Sequence, residues 1–481
     1  MEKVELIFIP WPLMGHLAQL VELAKLLIDR DKRFSITVLI LRLPDSLDPV
    51  TNKLIDSLVA SYTTEALKFF QLHPTNHIPE CSSLSRGYTI QRQLDSQKPH
   101  VKKFIQQRRT DESSSSKLVG VVVDMFFTSI IDVADEFGIP SYVFFTSGAA
   151  FLGLMLHFQS LQDDYNQDVS EFSNSKTALS FPSFVNPIPP SVLPLALVEK
   201  PLWIHRFLLC ARGYRKAKGI LVNTFTELEP YALDSINLSE SSPEILPVGP
   251  ILNQVQYVSP GIQSGIMKWL DDQPPSSVVY ISFGSLGSLQ VDQVKELANG
   301  LELSGYRFLW CLRRPPPKNT IVDFPSEYEN YADVLPEGFL DRTANVGKVV
   351  GWVPQLAVLS HAAVGGFISH CGWNSTLESI WCGVPLATWP LESEQELNAF
   401  QLVVELKLSV AITLDYLSTN KNQALVRAEQ IETGIRKVME SESEVRKKVK
   451  EISDKSRRSM KQGGSSYESL GSLISKMLHD S

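Results

Sequence analysis

Cysteine is scarce. The 481 residues hold five, Cys81, Cys210, Cys311, Cys371 and Cys382, an odd number with wide spacings and no Cys-x-x-Cys. That excludes a disulfide framework and leaves reduced thiols, the pattern of a cytoplasmic protein. Excess basic charge is also lacking. Lys and Arg total 45 against 53 Asp and Glu, for a net charge of -8, which argues against nucleic-acid or anionic-membrane binding. No apolar run approaches the roughly 18 residues of a membrane span. The opening "MEKVELIFIPWP" reads as a strand broken by proline rather than a secretory segment. Two further motifs are missing or misplaced. Neither glycine loop that follows a strand, "PWPLMGH" or "FGSLGS", matches the G-x-G-x-x-G expected of a dinucleotide-dependent oxidoreductase. The single Asp-x-Asp, Asp29-Arg30-Asp31, falls at a helix end rather than on a metal-binding loop.

What is present is a strand and helix pattern that runs twice. "VELIFI" leads through a glycine turn into a helix with Leu17, Leu20, Val21, Ala24, Leu27 and Ile28 at helical spacing. "SITVLILRL", "KLVGVVVD" and "SYVFFT" follow. These runs do not alternate, as expected of parallel strands covered on both faces. The pattern restarts at "SSVVYISFGSLGS", then "YRFLWCL", "GKVVGW", "VGGFISH" and "VPLATWP". The chain is too long for one ordinary core. Two doubly wound α/β domains facing a cleft are expected, joined through the Ser- and Pro-rich segment 239–254. The assigned limits are 1–245, a linker at 246–255, a second domain at 256–460, and a final helix at 461–481 packing back on the first.

Ligands of open α/β sheets sit beyond the carboxyl ends of the strands. That filter selects His16, Asp124, Thr146, Ser285, Trp352, His370 and the residues after Trp389. The stretch "SHCGWNSTLES", residues 369–379, carries the densest group. A zinc site would need about four clustered ligands, and no second pair lies near His370 and Cys371. Ser375 and Glu378 fit the capping box that starts a helix. A helix start after a strand also offers free N–H groups to a phosphate, with Asn374, Ser375 and His370 as added donors, His370 through a hydrogen bond or a charge. Glu378 could accept from a ribose diol. The combined reading is a nucleoside diphosphate.

The ungapped window "WVPQLAVLSHAAVGGFISHCGWNSTLESIWCGVPLATWPLESEQ", Trp352 to Gln395, resembles the signature of plant UDP-dependent glycosyltransferases of secondary metabolism. The likeness extends over the chain through "GH", "VVVDMF", "VGPIL" and "ISFGS". "FTSGAA", "LPEGF" and "LRRP" resemble the branch acting on phenolics and other small lipophilic aglycones, flavonoids among them. The resemblance implies the two-domain glycosyltransferase type B fold, with no cofactor, UDP-glucose as co-substrate and no metal. It implies that Trp352, Val353 and Gln355 hold uracil, and Glu378 the ribose. Ser285, His370, Asn374 and Ser375 are implied at the diphosphate, and Trp373, Glu394, Gln395 and Thr146 at the sugar. Gln395 matches members that prefer glucose.

His16 is the candidate base, since only histidine titrates near neutrality without a large shift. Asp124 is its orienting partner. Acceptor contacts are His16 and Ser393, with Met14, Phe126, Phe127, Phe151, Met155 and Phe158 as a candidate apolar wall. Glu392 stands where the family usually places an aromatic ring. The expected activity is inverting transfer of glucose to a hydroxyl by a monomeric enzyme. The alternative is a UDP-sugar or lipophile-binding protein with weak or lost activity.

Overall fold

Unbroken apolar runs cover both faces of two parallel sheets. The structure, a computed structural model, describes all residues except 1–2, 44–48, 73–91, 93–94, 111–115, 195–202, 238–242, 255–259, 317–324, 417–423 and 480–481. The first sheet holds β1 (Lys3–Ile9), β2 (Phe34–Leu41), β3 (Leu67–Leu72), β4 (Ser116–Asp124), β5 (Ser141–Phe145), β6 (Gly219–Val222) and β7 (Glu244–Pro247). Its spatial order is β3-β2-β1-β4-β5-β6-β7. Ile7, Ile9, Val121 and Val123 pack into one cluster, and Leu6, Phe8, Val122 and Phe144 into another, all fully buried. Neighbouring residues on a strand therefore serve opposite cores, which is why the runs do not alternate with polar residues.

The second sheet holds β8 (Val278–Ser282), β9 (Arg307–Cys311), β10 (Gly347–Val350), β11 (Val364–Ser369), β12 (Leu386–Thr388) and β13 (Ser409–Ala411), ordered β10-β9-β8-β11-β12-β13. Both sheets are parallel throughout. Strand order reverses direction between β1 and β4 in the first and between β8 and β11 in the second. Such switch points open the crevices in which α/β sheets bind ligands.

One face of the first sheet is covered by the helix Met14–Arg30 through Leu17, Leu20, Val21, Ala24 and Leu27. The helix Ser465–His479 lies on the same face through Leu470, Leu473, Ile474 and Met477, so the chain's last helix returns to its first sheet. Arg30 stacks 3.2 Å from the centroid of the Tyr467 ring and donates to the Tyr467 carbonyl. The two halves share apolar cores. Leu397 and Phe400 join the first sheet's cluster, while Phe225, Leu228 and Leu252 join the second's.

One boundary differs from the sequence reading. β7 pairs with β6, Glu244 opposite Gly219 and Pro247 opposite Val222, so a strand crosses the position at which the linker was placed. Pro247 is compatible with this because β7 is an edge strand, where a missing N–H breaks no central ladder.

Candidate functional site

β1 and β4 deliver the first pair of polar side chains at the switch point of the first sheet. His16 lies in the first turn of the helix after β1, and Asp124 ends β4. His16 Nδ1 lies 2.8 Å from Asp124 Oδ2. The aspartate side chain is fully buried, whereas the histidine side chain keeps 21% of its surface. Asp124 Oδ1 also accepts the Phe126 N–H at 2.9 Å, so the carboxylate is held at both oxygens. Burial disfavours the imidazolium, but adjacent Asp124 and then Glu394 across the cleft outweigh it. The His16 pKa therefore stands above its ordinary 6.5, with Arg206 pulling the other way. Thr146, just past β5, places Oγ1 3.2 Å from His16 Nδ1 and donates to Met125 Sδ. It touches the base rather than standing free. Glu394 accepts from Ser147 Oγ at 3.2 Å, and burial raises its pKa.

The second sheet's switch point faces this pair. β11 ends at Ser369, His370 follows, and the chain turns through Cys371 (φ 64°) into the helix Trp373–Cys382. The helix starts at Trp373 with Gly372 as its cap residue and no side-chain cap. The capping box expected of Ser375 and Glu378 does not form. Both side chains instead accept from Gln355 Nε2, each at 2.8 Å, because the helix begins three residues earlier than that motif requires. The first-turn N–H groups of Trp373, Asn374 and Ser375 thus lie outside the helix ladder, open to an anion.

His370 is packed under two glycines. A Cβ on Gly284 (φ +75°) or on Gly372 would meet His370 Nε2 at 2.5 Å. Burial drops the His370 pKa to about 4, so at neutral pH the ring supplies a hydrogen bond and not a charge. Ser285, in the glycine turn after β8, is exposed. Burial pushes Glu378 up to about 7 despite the Gln355 bond, and its second oxygen has no donor among the described residues. Trp352 follows β10. Arg313 covers one face of its ring at 5.2 Å, and its N–H is donated to Glu327 Oε1. Val353 is buried beside it. Among the described residues no group of three or more His, Cys, Asp or Glu is arranged to hold a metal. Asp29 and Asp31 are engaged by Lys32 and Arg33.

The arrangement sets an uncapped helix start at one sheet's switch point close to a histidine–aspartate couple at the other's. The family described as UDP-glucoronosyl and UDP-glucosyl transferase matches residues 266–449. The UDP-glucose flavonoid 3-O-glucosyltransferase 6 of Fragaria ananassa is 50% identical, with 98% of each chain covered. The chain belongs to the plant UDP-glycosyltransferases. UDP-glycosyltransferase 71E1 of Stevia rebaudiana is 48% identical, again over 98% of each chain. Medicago truncatula UGT71G1, solved with UDP-glucose, superposes with TM-score 0.84 at 39% identity, covering 99% of this chain and 98% of that one. A transferase of Siraitia grosvenorii, solved with UDP, gives TM-score 0.85 at 43% identity, covering 99% and 100%. The protein is therefore a UDP-dependent glucosyltransferase with the glycosyltransferase type B fold. Among its described residues no helix is long and apolar enough to cross a membrane.

Several side chains of this UDP-glycosyltransferase are engaged differently from the sequence reading. The Trp373 indole N–H donates to the Asn223 carbonyl at 2.7 Å, so its ring ties the two halves together. Asn374 Nδ2 donates to the Gly15 carbonyl at 3.1 Å, and Gln19 Nε2 donates to Asn374 Oδ1 at 2.6 Å. Gln395 Oε1 accepts the N–H groups of Leu391 and Glu392, which leaves its amide NH2 for other acceptors. Ser393 is exposed in a left-handed turn (φ 65°).

The apolar wall is partly corrected. Phe126 meets the His16 ring at 5.4 Å, but Phe127, Met155 and Phe158 are fully buried core residues. Met14 packs partly buried against the core beneath the first helix. Phe151 stands behind Phe207 at 6.4 Å. Sequence reasoning missed Trp11, Arg206 and Phe207. Trp11 lies 5.9 Å from Phe126, and the Arg206 guanidinium stacks over both rings at 4.7 and 4.9 Å. Trp11 was detectable, since it too follows β1; Arg206 and Phe207 sit inside the helix Trp203–Lys216, whose position no strand-end rule reveals. Glu396 was also passed over. It is buried, its carboxyl oxygens have no partner among the described residues, and burial with nearby Glu394, Glu392 and Asp415 pushes it up to about 8.

Proposed function

We propose that this enzyme transfers glucose from UDP-glucose to a hydroxyl of a small lipophilic plant metabolite, a flavonoid or other phenolic, phenylpropanoid or terpenoid, giving a β-O-glucoside with inversion. The observation that carries this reading is the 2.8 Å His16–Asp124 contact facing the open start of the helix Trp373–Cys382. His16 Nε2 takes the acceptor's hydroxyl proton. Asp124, bonded to Nδ1, fixes the tautomer and stabilises the imidazolium, as the acid of a triad does. The acceptor oxygen attacks the anomeric carbon from the face opposite the diphosphate. The bond to the diphosphate oxygen breaks, and its electron pair leaves with UDP.

The leaving charge is met by the first-turn N–H groups, neutral His370, Ser285, Asn374 and Ser375, with no metal and no cofactor. Trp352, Val353 and Gln355 hold the uracil, and Glu378 the ribose. Thr146, the Trp373 backbone, Glu394 and Gln395 hold the sugar. The acceptor lies along Trp11, Phe126 and Phe207 beside His16, with Ser393 at the rim. The name of the Fragaria ananassa relative supports a flavonoid-type acceptor. The same reading has the enzyme acting as a cytoplasmic monomer, with the donor on the second domain and the acceptor on the first.

Incubation with UDP-glucose and a panel of flavonoids, simple phenols and terpenoid alcohols, followed by mass spectrometry, tests this. A hexose gain on phenolic acceptors, unaffected by EDTA, is expected. No product across the panel, despite UDP binding, would favour the binding-protein alternative.

A further inference from the structure

Gln19 sits one turn after His16 on the same helix and is only 1% exposed. A glutamine in that position needs an explanation, because its Oε1 is buried with no partner among the described residues. An unpaired buried amide oxygen is destabilising, and an apolar side chain of the same length would avoid it. The other end of the side chain is engaged. Nε2 donates to Asn374 Oδ1 at 2.6 Å and to the Ile251 carbonyl at 3.3 Å.

The orientation of both amides is dictated by their neighbours. The carbonyls of Gly15 and Ile251 can only accept. Asn374 must therefore turn Nδ2 to Gly15, where it sits at 3.1 Å, and Oδ1 to Gln19. Gln19 must then present Nε2, which leaves its own oxygen unpaired. The connection continues. Asn223 holds Ile251 by both its N–H (2.7 Å) and its carbonyl (3.1 Å), and the Asn223 carbonyl receives the Trp373 indole. Trp373 and Asn374, the first two residues of the donor-side helix, are thus both gripped from the first half of the chain. One grip ends on Gly15, the residue before His16.

We propose that Gln19 is a positioning residue for sugar transfer: through Asn374 it locks the start of the donor-side helix to the turn that carries His16. This sets the distance between the base and the sugar's anomeric carbon. It rests on the proposed roles of His16 and of the helix start. Gln19 touches neither substrate, and its effect passes through the Asn374 amide.

The test uses the full-length enzyme with Gln19→Met and Gln19→Glu, each made alone and with Asn374→Ala. Gln19→Met keeps the length and loses the bond. It should lower kcat about ten- to a hundredfold, the scale of a slight misplacement of reacting groups. UDP-glucose affinity should stay within about twofold and binding stoichiometry near one, since the backbone donors remain. The acid limb of the pH profile should not move, since the His16–Asp124 contact is untouched. Gln19→Glu can only accept, so it turns the Asn374 amide away from Gly15 and should lose at least as much; it also answers the question if the Met variant does not fold. In the Asn374→Ala background Gln19→Met should cost nothing further. Unchanged kcat in Gln19→Met, or losses that multiply in the double variant, would overturn the proposal. An unchanged Gln19→Met in an enzyme that still requires His16 refutes the positioning role alone.

Discussion

His16 and Glu378, proposed to serve the acceptor and the ribose respectively, both carry pKa values displaced from their ordinary positions. In free enzyme the raised His16 pKa means protonation persists above pH 6.5, so the neutral base is lost as pH falls through a value higher than that. The acid limb of kcat/KM should lie above 6.5. Asp124→Asn removes the carboxylate charge that raises it. The limb should then move to lower pH while the rate drops by about two to four orders of magnitude. A limb that stays put would separate Asp124 from the base. Glu378 behaves with the opposite consequence. In the proposed ribose role its carboxyl, at about 7, accepts most strongly when ionised. UDP-glucose affinity, measured by calorimetry, should weaken below pH 7 by up to about tenfold per unit. Glu378→Gln should flatten that dependence. His16 was legible because it closely follows a strand, and Glu378 because it lies in the window from Trp352 to Gln395. Gln19 was not, since nothing in a local pattern shows what a helix side chain meets across the molecule.

The helices that carry the site are fixed by buried polar contacts as much as by apolar faces. The helix Ala149–Asp163 has no side-chain cap of its own. Glu229 accepts the N–H groups of Ala149 and Ala150 at 2.8 and 3.0 Å, and Gln401 from the second half donates to the same carboxylate at 2.8 Å. Glu229→Ala strands all three donors. It should lower the unfolding free energy by about 3 kcal/mol, read as a drop in Tm or in denaturant midpoint. Most inner strands could be read directly from sequence because both faces are apolar; β6, only four residues long, was not. β3, β7 and β13 were less visible for a physical reason. They are edges or very short, and β3 is half exposed, so their backbone pairing rather than their composition defines them. The capping box at Ser375 was a true motif with the wrong outcome, because Gln355 from a neighbouring helix competes for the same two side chains.

Across the whole molecule, two sheets present the carboxyl ends of their switch-point strands to one cleft. On the proposed reading one half offers a nucleotide cradle, and the other a base with an aromatic flank of Trp11, Phe126 and Phe207. Shared cores and the Trp373, Asn374 and Gln401 bonds hold the halves in register. The two-domain plan was legible from the repeated strand pattern. How the halves touch was not, since those contacts join residues far apart in the chain. If one half holds the donor and the other carries out the chemistry, the two are separable. The decisive measurement is UDP-glucose affinity alongside transfer rate in His16→Ala. Binding should stay within about twofold of wild type while transfer falls about 10²- to 10⁴-fold. Near-normal transfer, or a loss of donor binding that accounts for the whole defect, would contradict it.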